Sequence, residues 1–226
     1  MHEFSVSAVA AVLDFAVLKP NQTSTDIDSA AALCGQLSIG CLCVQPIDVC
    51  RAARLLHDQR TVIASVVGFP HGAHTTAIKV HEARVAIEDG AKELDMVLAL
   101  QALRDGDHPT VHDDIAAVVN EGRASNVAVK VILETCYLNK KEIIHACRIA
   151  ESAGATFVKT STGFGSRGAT PEVVRTMLDT VNGRIGVKAS GGIRTWNDCV
   201  GYLKMGCTRI GVGDPRLILT GGSEAN

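Results

Sequence analysis

The chain alternates eight times between a short β-branched or apolar run and a longer amphipathic stretch of helical length. The clearest runs are 61–68, 127–134 and 156–160, and proline, hydroxyl or glycine residues mark many of the helix boundaries. Eight βα units in 226 residues are the count for a TIM barrel, an α/β fold in which eight parallel strands close into a cylinder. A doubly wound sheet is the alternative, but it seldom needs eight parallel strands in about 200 residues. We therefore predict a single (β/α)8 barrel domain over residues 1–226.

The composition agrees with strands that are buried on both faces. Hydrophobic residues make up 46% of the chain and aromatic residues only 4%, so the core must be aliphatic. The predicted strands are 14–18, 41–44, 61–68, 92–98, 127–134, 156–160, 184–188 and 208–212. The predicted helices are 4–13, 25–37, 46–58, 75–89, a stretch up to 123, 140–153, 171–181, 195–205 and a last one from 215.

Several functional classes do not fit the composition. A formal net charge of -2, with scattered charges, gives no basic surface for nucleic acid or for an anionic membrane. Residues 1–12 lack the pattern of a signal peptide, and no apolar run approaches the ~20 residues of a membrane span. The eight cysteines form no C-x-x-C pair, so we expect reduced thiols and a cytoplasmic protein. Three histidines are the other candidate metal ligands: His71, His74 and His81. Their spacing does not place three ring nitrogens on one face of a helix, so we do not predict a metal site there.

Two lysines suggest a reaction. Lys159 closes one predicted strand, and Lys188 closes the next one, 29 positions later. A buried lysine is costly, and two on neighbouring strands repel each other, which would lower the pKa of one towards neutrality. Because a neutral amine can attack a carbonyl carbon, the pair indicates Schiff-base chemistry.

Other polar residues fall at the predicted carboxyl ends of strands, where TIM barrels carry their active sites. Asp95 with Lys159 and Lys188 would supply amine activation and proton transfer. Further candidates are Asp14, Cys43, Lys130 and Glu134. Lys130 could pair with Glu134 or with Asp95, and for Lys130 or Asp95 taken alone a structural ion pair is the alternative interpretation.

Glycine pairs follow the last two predicted strands. Barrels often bind phosphate at these two positions through backbone N–H groups, so an anion site is favoured over plain tight turns. The glycines concerned are Gly191, Gly192, Gly211 and Gly213.

Segments over nearly the whole chain carry a specific family resemblance. They include VVGFP at 66–70, KVILET at 130–135, VKTSTGF at 158–164 and VKASGGIR at 187–194, with further matches at 18–20, 79–84, 86–91 and 93–97. With these segments the chain resembles deoxyribose-phosphate aldolase, a class I aldolase family on a TIM barrel.

The resemblance implies roles for individual residues. Lys159 would form the imine with acetaldehyde, Lys188 would be the ammonium that lowers the pKa of that amine, and Asp95 would move protons through a water. No metal or other cofactor is implied, because the protonated imine is the electron sink. The implied reaction is reversible cleavage of 2-deoxyribose 5-phosphate to acetaldehyde and glyceraldehyde 3-phosphate by a homodimer or homotetramer. Substrate contacts would come from Asp14, Cys43, Lys130, Thr162, Gly163, Gly191, Gly192, Gly211 and Gly213.

The chain also departs from the family pattern. Polar residues are missing at Phe15, Ala16 and Ala99, and the turn after the eighth strand carries Asp214 where small hydroxyl residues are usual. Two smaller departures are Gln45 and His71. A carboxylate ~4 Å from a phosphate costs about 1 kcal/mol per charge pair even in water. We therefore expect relaxed dependence on the 5-phosphate.

Two alternatives stay open at this stage. The lost polar residues fit a catalytically idle homologue that binds a metabolite, although an idle site has no reason to keep paired buried lysines. A barrel isomerase, or an aldolase for a non-phosphorylated or different aldose or ketose, is the other alternative.

Overall fold

The computed structural model describes residues 4–224, and within them eight parallel strands close into a barrel in sequence order. Each strand pairs with the next, and β8 pairs with β1 through Leu13–Ile210, Asp14–Gly211 and Phe15–Val212. The TIM barrel prediction is confirmed. The strands are β1 Leu13–Val17, β2 Cys41–Val44, β3 Val62–Val67, β4 Glu93–Val97, β5 Ala128–Ile132, β6 Phe157–Lys159, β7 Gly186–Ser190 and β8 Arg209–Val212.

Helices surround the barrel. They are α1 Val6–Ala10, α2 Ser24–Leu37, α3 Val49–Leu55, α4 Thr76–Glu88, α5 Leu100–Arg104, α6 His108–Arg123, α7 Lys140–Ser152, α8 Pro171–Val181, α9 Trp196–Met205 and α10 Pro215–Glu224. Short 3-10 turns occupy Pro46–Asp48 and Thr135–Tyr137. Among the helices of residues 4–224, none has the length and apolarity that a bilayer crossing requires.

Four predicted elements differ clearly from the structure. The opening helix, predicted over 4–13, covers only Val6–Ala10, and Leu13 already begins β1. The seventh strand runs over Gly186–Ser190, not 184–188, because its pairing with β8 continues as far as Ser190 and Gly211. Lys188 therefore lies in the middle of its strand. The predicted helix up to 123 is split, because Gly106 adopts a left-handed φ of 78° and Asp107 caps a new helix. The predicted 46–58 helix begins as a 3-10 turn, and α3 covers only Val49–Leu55.

The barrel interior is divided by side-chain size. Successive residues of a strand point to opposite faces, so one set packs under the helices and the other fills the barrel. The interior of β2 and β3 is lined by small side chains, including Cys43 and Ala64, which form a cluster separate from the main core. The remaining strands send long charged side chains into the space that these small residues leave. The barrel core is therefore polar on one side and aliphatic on the other.

Candidate active site

A single carboxylate, that of Asp95 in β4, contacts three lysines inside the barrel. Its Oδ1 accepts a hydrogen bond from Lys130 Nζ at 2.7 Å. Its Oδ2 accepts from Lys159 Nζ at 2.7 Å and from Lys188 Nζ at 2.8 Å. All four side chains are at most 4% exposed. The structure thus brings together the three residues that the sequence singled out for amine chemistry.

The strand register explains why these side chains meet. In a parallel sheet, residues paired across neighbouring strands point to the same side. Asp95 pairs with Lys130 between β4 and β5, and Lys159 pairs with Lys188 between β6 and β7. Since Lys159 is the last residue of β6, its amine lies at the carboxyl end of the barrel, where a substrate can enter.

Five buried charged groups and the partly buried Arg209 form a closed ring in which positive and negative charges alternate. We call it the charged ring; its members in order are Asp95, Lys130, Glu93, Arg209, Asp14 and Lys188, and Lys188 contacts Asp95 again. Lys130 Nζ lies 2.5 Å from Glu93 Oε2 as an ion pair without hydrogen-bond geometry, and Arg209 donates to Asp14 Oδ1 at 2.5 Å. Lys159 contacts the ring from outside, through Asp95.

Contacts within the ring keep Asp95, Lys130 and Lys188 ionised in spite of burial. Burial alone would raise the pKa of Asp95, but Lys130, Lys159 and Lys188 together hold it well below its usual range. Burial would lower the pKa of Lys188, but Asp14 and Asp95 raise it above the ordinary lysine value, and carboxylates raise that of Lys130 likewise. The expected repulsion between lysines is thus outweighed by carboxylates at Lys188, which stays an ammonium.

Counting charges singles out Lys159. The ring holds three carboxylates and three cations, so its formal charge is zero, and Lys159 adds a fourth cation. A net charge that is buried away from water is costly. Lys159 contacts one carboxylate, whereas Lys188 contacts two and Lys130 contacts three. Of the three lysines, Lys159 therefore loses the least electrostatic stabilisation when its amine gives up a proton.

Three of the sequence candidates for substrate contact lie deep in the barrel. Asp14 and Lys130 are fully buried, and their recorded contacts are with members of the charged ring. Cys43 is 1% exposed, and its thiol lies 4.0 Å from Asp95 Oδ2. Burial and the neighbouring Asp95 carboxylate raise the pKa of the Cys43 thiol to about 11, so the thiol is neutral. The structure thus places these residues beneath Lys159 or beside its carboxylate partner.

Thr162 and Gly163 lie at the rim, on the loop that follows Lys159. Thr162 donates its hydroxyl hydrogen to Glu134, and its backbone N–H lies 3.3 Å from the same Oε2. Glu134 is buried and has a left-handed φ of 50°. Of the two partners that the sequence offered for Lys130, Asp95 is the one that the structure shows. Gly163 also has a positive φ, of 90°, and a Cβ there would meet nothing within 4 Å. A cavity of about 50 Å³ adjoins this loop.

The two glycine turns are neighbours, as expected. Gly191 and Gly192 follow β7, both with positive φ. Ser190 just before them pairs with Gly211, which lies within β8 and not after it as predicted, so only Gly213 follows that strand. A Cβ at Gly192 or Gly213 would meet no atom within 4 Å, which leaves these backbone positions open to a ligand.

A carboxylate stands directly after the second glycine turn. Asp214 precedes α10, and its Oδ1 accepts from the backbone N–H of Arg216 at 3.0 Å. The Arg216 guanidinium donates to both oxygens of Asp214, at 2.9 and 2.7 Å, and holds the pKa of that carboxyl below its usual value. The first turn of α10, a natural anion site, is thus occupied by a carboxylate of the chain itself.

Some of the residues that depart from the family pattern face the barrel interior, and others lie outside it. Phe15 packs against the outer core, so it does not face the barrel interior, whereas Ala16 lies inside and pairs in register with Cys43. Ala99 lines an open cleft of about 920 Å³ beyond β4, together with His71. Gln45 donates to the Leu18 carbonyl at 2.8 Å and links the ends of β1 and β2.

Three buried acidic or thiol side chains could in principle bind a metal ion. Asp14, Cys41 and Glu93 place one ligand atom each within 4.8 Å of one another. Both carboxylates are already paired, with Lys188, Lys130 and Arg209. Burial raises the pKa of the Cys41 thiol well above its ordinary value. The positive side chains and the neutral thiol make this a poor metal site.

Sequence reasoning missed two members of the charged ring and a second buried pair. Glu93 and Arg209 lie two residues before Asp95 and Gly211, so strand alternation would have placed them inside the barrel. Lys79 in α4 is fully buried, and its Nζ donates to Asp114 of α6 at 2.5 Å and to the carbonyl oxygen of Val97, the last residue of β4, at 2.9 Å.

Comparisons with a family model, with curated proteins and with solved structures all point to one family of aldolases. The DeoC/LacD family aldolase model matches residues 8–209. The deoxyribose-phosphate aldolase of Thermococcus gammatolerans is 45% identical over 219 residues, which cover 96% of this chain and 97% of that protein. That of Carboxydothermus hydrogenoformans is 43% identical over 219 residues, which cover 96% of each chain. Among solved structures, the tetrameric deoxyribose phosphate aldolase of Aeropyrum pernix superposes with a TM-score of 0.92 at 28% identity, covering 98% of this chain and 94% of that one.

Proposed function

The chain belongs to the DeoC/LacD family of aldolases, and from that premise we propose that it cleaves 2-deoxyribose 5-phosphate reversibly to acetaldehyde and glyceraldehyde 3-phosphate. The enzyme is then a lyase that works through a Schiff base on Lys159. The observation that carries the proposal is the Lys159 amine beside a balanced ring of charges, 2.7 Å from Asp95. This arrangement supplies an amine that can lose its proton in a buried site.

The reaction is easiest to follow in the direction of bond formation. The neutral Lys159 amine adds to the carbonyl carbon of acetaldehyde, and the carbinolamine loses water to give a protonated imine. Loss of a proton from the adjacent carbon gives an enamine, whose carbon attacks the aldehyde carbon of glyceraldehyde 3-phosphate. Water then hydrolyses the new imine, which releases the sugar phosphate and restores the amine. Cleavage runs through the same steps in reverse.

Asp95 and Lys188 have different roles in proton transfer: Asp95 accepts protons, and Lys188 supplies a fixed positive charge. Asp95 stays ionised and touches Lys159 Nζ, so it can accept protons from the amine and the carbinolamine, directly or through a water. Lys188 stays an ammonium because Asp14 and Asp95 raise its pKa. Its fixed positive charge beside Lys159 favours the uncharged amine and fixes the Asp95 carboxylate in place.

The other end of the substrate is the second part of the proposal. The open glycine turns after β7 and β8 support a site for the 5-phosphate, through backbone N–H groups of Gly192 and Gly213. Asp214 beside them would repel a dianion, although Arg216 neutralises part of its charge. We therefore expect an aldolase that uses the phosphorylated sugar but discriminates weakly against deoxyribose itself.

The alternatives that the sequence left open gain little support. The idle-homologue alternative was based partly on the loss of a polar residue at Phe15. The Phe15 ring packs outside the barrel interior, so this loss does not affect the site. The charged ring is complete, which an idle site would have no need to preserve. An aldolase for another aldose or ketose would use the same kind of amine, so a substrate panel is needed to separate it from the proposal.

Self-association and location are also part of the proposal. A relative from Aeropyrum pernix is tetrameric, and this chain exposes large apolar side chains on and near α4: Ile47 is 89% exposed, Ile78 49% and Val85 38%. Ile78 and Val85 lie two turns apart on one face of the helix. We infer a homodimer or homotetramer, which light scattering after gel filtration would test. Eight free thiols favour a reducing, cytoplasmic compartment.

Borohydride trapping tests the core of the proposal. Sodium borohydride with acetaldehyde should add one ethyl group to Lys159, mapped by peptide mass spectrometry. Lys159→Ala should lose both the label and retro-aldol activity, and the matched control Lys92→Ala, at an exposed lysine, should keep both. An unlabelled Lys159 in active protein, under conditions that label another class I aldolase, would refute the proposal.

A further inference from the structure

We propose that Glu93 and Arg209, which lie across the charged ring from Lys159, set the pH range in which the Lys159 amine forms its imine, by fixing the net charge of the ring. The inference rests on the proposed function, because it takes Lys159 as the imine-forming residue. Neither residue contacts Lys159, so both act as positioning residues through other members of the ring.

The geometry connects the two residues to Lys159 by two routes. Glu93 contacts Lys130, which contacts the Asp95 carboxylate that Lys159 also contacts. Arg209 contacts Asp14, which contacts Lys188, and Lys188 shares Asp95 Oδ2 with Lys159. Both routes end on the same carboxylate. A change in charge at the far side of the ring therefore reaches Lys159 from two directions.

The ionisable groups around Lys159 come from every neighbouring part of the barrel. Asp95 reaches it from β4, Lys188 from β7, Lys130 from β5 and the neutral Cys43 thiol from β2. Behind them lie Asp14 and Cys41, and the ring closes through Glu93 and Arg209. Since the thiols are neutral and the ring sums to zero, single charge changes at Glu93 or Arg209 leave the ring with a net charge.

The direction of each effect follows from Coulomb's law. Glu93→Gln removes a negative charge and gives the ring a net charge of +1, which disfavours protonated Lys159, so imine formation should extend to lower pH. Arg209→Gln removes a positive charge and gives a net charge of -1, which favours protonated Lys159, so imine formation should require higher pH. The double variant restores a net charge of zero.

The size of the effect is measurable. Glu93 and Asp95 lie on one strand two residues apart, and such neighbours are about 7 Å from each other. At ~10 Å and an effective dielectric constant of ~20, one unit charge moves a protonation equilibrium by about one pH unit. A displacement of that size lies well outside the error of a pH profile.

The experiment is the pH profile of borohydride trapping of acetaldehyde at Lys159, at constant ionic strength. The midpoint should fall by about one pH unit in Glu93→Gln and rise by about one in Arg209→Gln. It should return to the wild-type value in the double variant. Arg209→Lys and Glu93→Asp preserve charge and should keep the wild-type midpoint, with folding of all variants checked by thermal unfolding.

The outcomes separate a charge effect from structural damage. If both charge-removing variants move the midpoint in the same direction, or if the double variant does not restore it, the inference is wrong. If those variants do not fold, the charge-preserving pair decides: a displaced midpoint there overturns the inference, and a wild-type midpoint supports it. Failure to label Lys159 in the wild-type protein would instead refute the proposed function.

Discussion

Lys159 and Lys188 pair in register on adjacent strands, and their two amines share one oxygen of Asp95, at 2.7 and 2.8 Å. Their contacts differ on the other side. Lys188 also contacts Asp14, while Lys159 has no second carboxylate among residues 4–224. In the proposed mechanism these two chemically identical side chains take different roles, Lys188 as a fixed ammonium and Lys159 as the reactive amine.

Replacing Lys188 should separate these roles. Lys188→Met removes the ammonium beside Lys159 and leaves Asp95 Oδ2 to hold Lys159 alone, which favours its protonated form. We expect kcat to fall by about 10²–10⁴-fold, the usual range for loss of a group that assists proton transfer. Steady-state retro-aldol kinetics would measure this, with Lys92→Met as the control. A wild-type kcat in Lys188→Met would contradict the assigned role.

The carboxylate at the phosphate end gives a second prediction. Asp214→Ser should raise the preference for deoxyribose 5-phosphate over deoxyribose, measured as the ratio of the two kcat/KM values, by roughly 5–30-fold, about 1–2 kcal/mol of removed repulsion. Arg216→Gln should lower that ratio, because it leaves the charge of Asp214 uncompensated. If wild-type protein already prefers the phosphorylated sugar by many thousand-fold, the repulsion is not significant.

The buried pair between α4 and α6 should matter for stability. Lys79→Met leaves Asp114 buried with Thr76 as its remaining recorded partner, and we expect a loss of about 3–5 kcal/mol in the free energy of unfolding. The double variant Lys79→Met with Asp114→Leu should recover most of this loss, because no charge is left unpaired. Urea unfolding curves would test both, and an additive double variant would show that the pair is not coupled.

A methyl group added at Gly211 should also disturb the active site. A Cβ at Gly211 would lie 2.8 Å from Ser190 Cβ and 3.3 Å from Lys188 Cε, so Gly211→Ala should displace Lys188 and lower kcat at least ~10-fold. Gly201→Ala in α9 is the matched control, because its Cβ would meet no atom within 4 Å. Equal activities of the two variants would show that the position of Lys188 tolerates the added methyl group.

The charged ring should give stability a defined dependence on acid. Burial would raise the pKa values of Asp14 and Asp95, but lysines, together with Arg209 in the case of Asp14, hold both below the value of 3.8 for an unperturbed carboxyl. Their contribution is therefore fully present above pH 3.8 and is lost as the pH falls through the lower values of the folded state. The pKa values of Lys130 and Lys188 are raised, so their contribution persists up to 10.5 and is lost above it.

Asp14→Asn should weaken the acid dependence. Measured as the slope of unfolding free energy against pH below 3.8, the variant should show a smaller slope than wild-type protein. Asp58→Asn, which removes one exposed carboxylate outside the charged ring, is the matched control. Equal slopes in wild-type protein and Asp14→Asn would mean that Asp14 is not stabilised as an anion.

Much of the fold was predictable because the barrel depends on local signals. The eight runs and their helices carry periodicities that a sequence shows directly, and strand ends were misplaced by only a residue or two at most positions. The seventh strand was displaced by two residues at both ends. Its boundary is set by pairing of Ser190 with Gly211 on β8, which the residues around 184 do not reveal.

The site was predictable in part for the same reason. Lys159, Lys188 and Asp95 stand out as charges within apolar runs, and the strand order brings them together. Strand alternation gives the face of Glu93 and Arg209, but both lie at the beginnings of their strands, where a charged residue is usually solvated. Their exclusion from water therefore depends on closure of the barrel. Contact between Lys79 and Asp114 depends on how two helices pack, and no pattern in a single sequence specifies that.

The charged ring takes members from β1, β4, β5, β7 and β8, and Asp14 near the start of the chain contacts two residues near its end. The ring therefore cannot exist in a partly folded chain, because its contacts span 174 and 195 positions of sequence. An intermediate that lacks β8 would leave Asp14 and Glu93 without Arg209. Recovery of aldolase activity during refolding should thus follow the final closure of the cylinder and lag behind helix formation, which makes catalysis a reporter of complete folding.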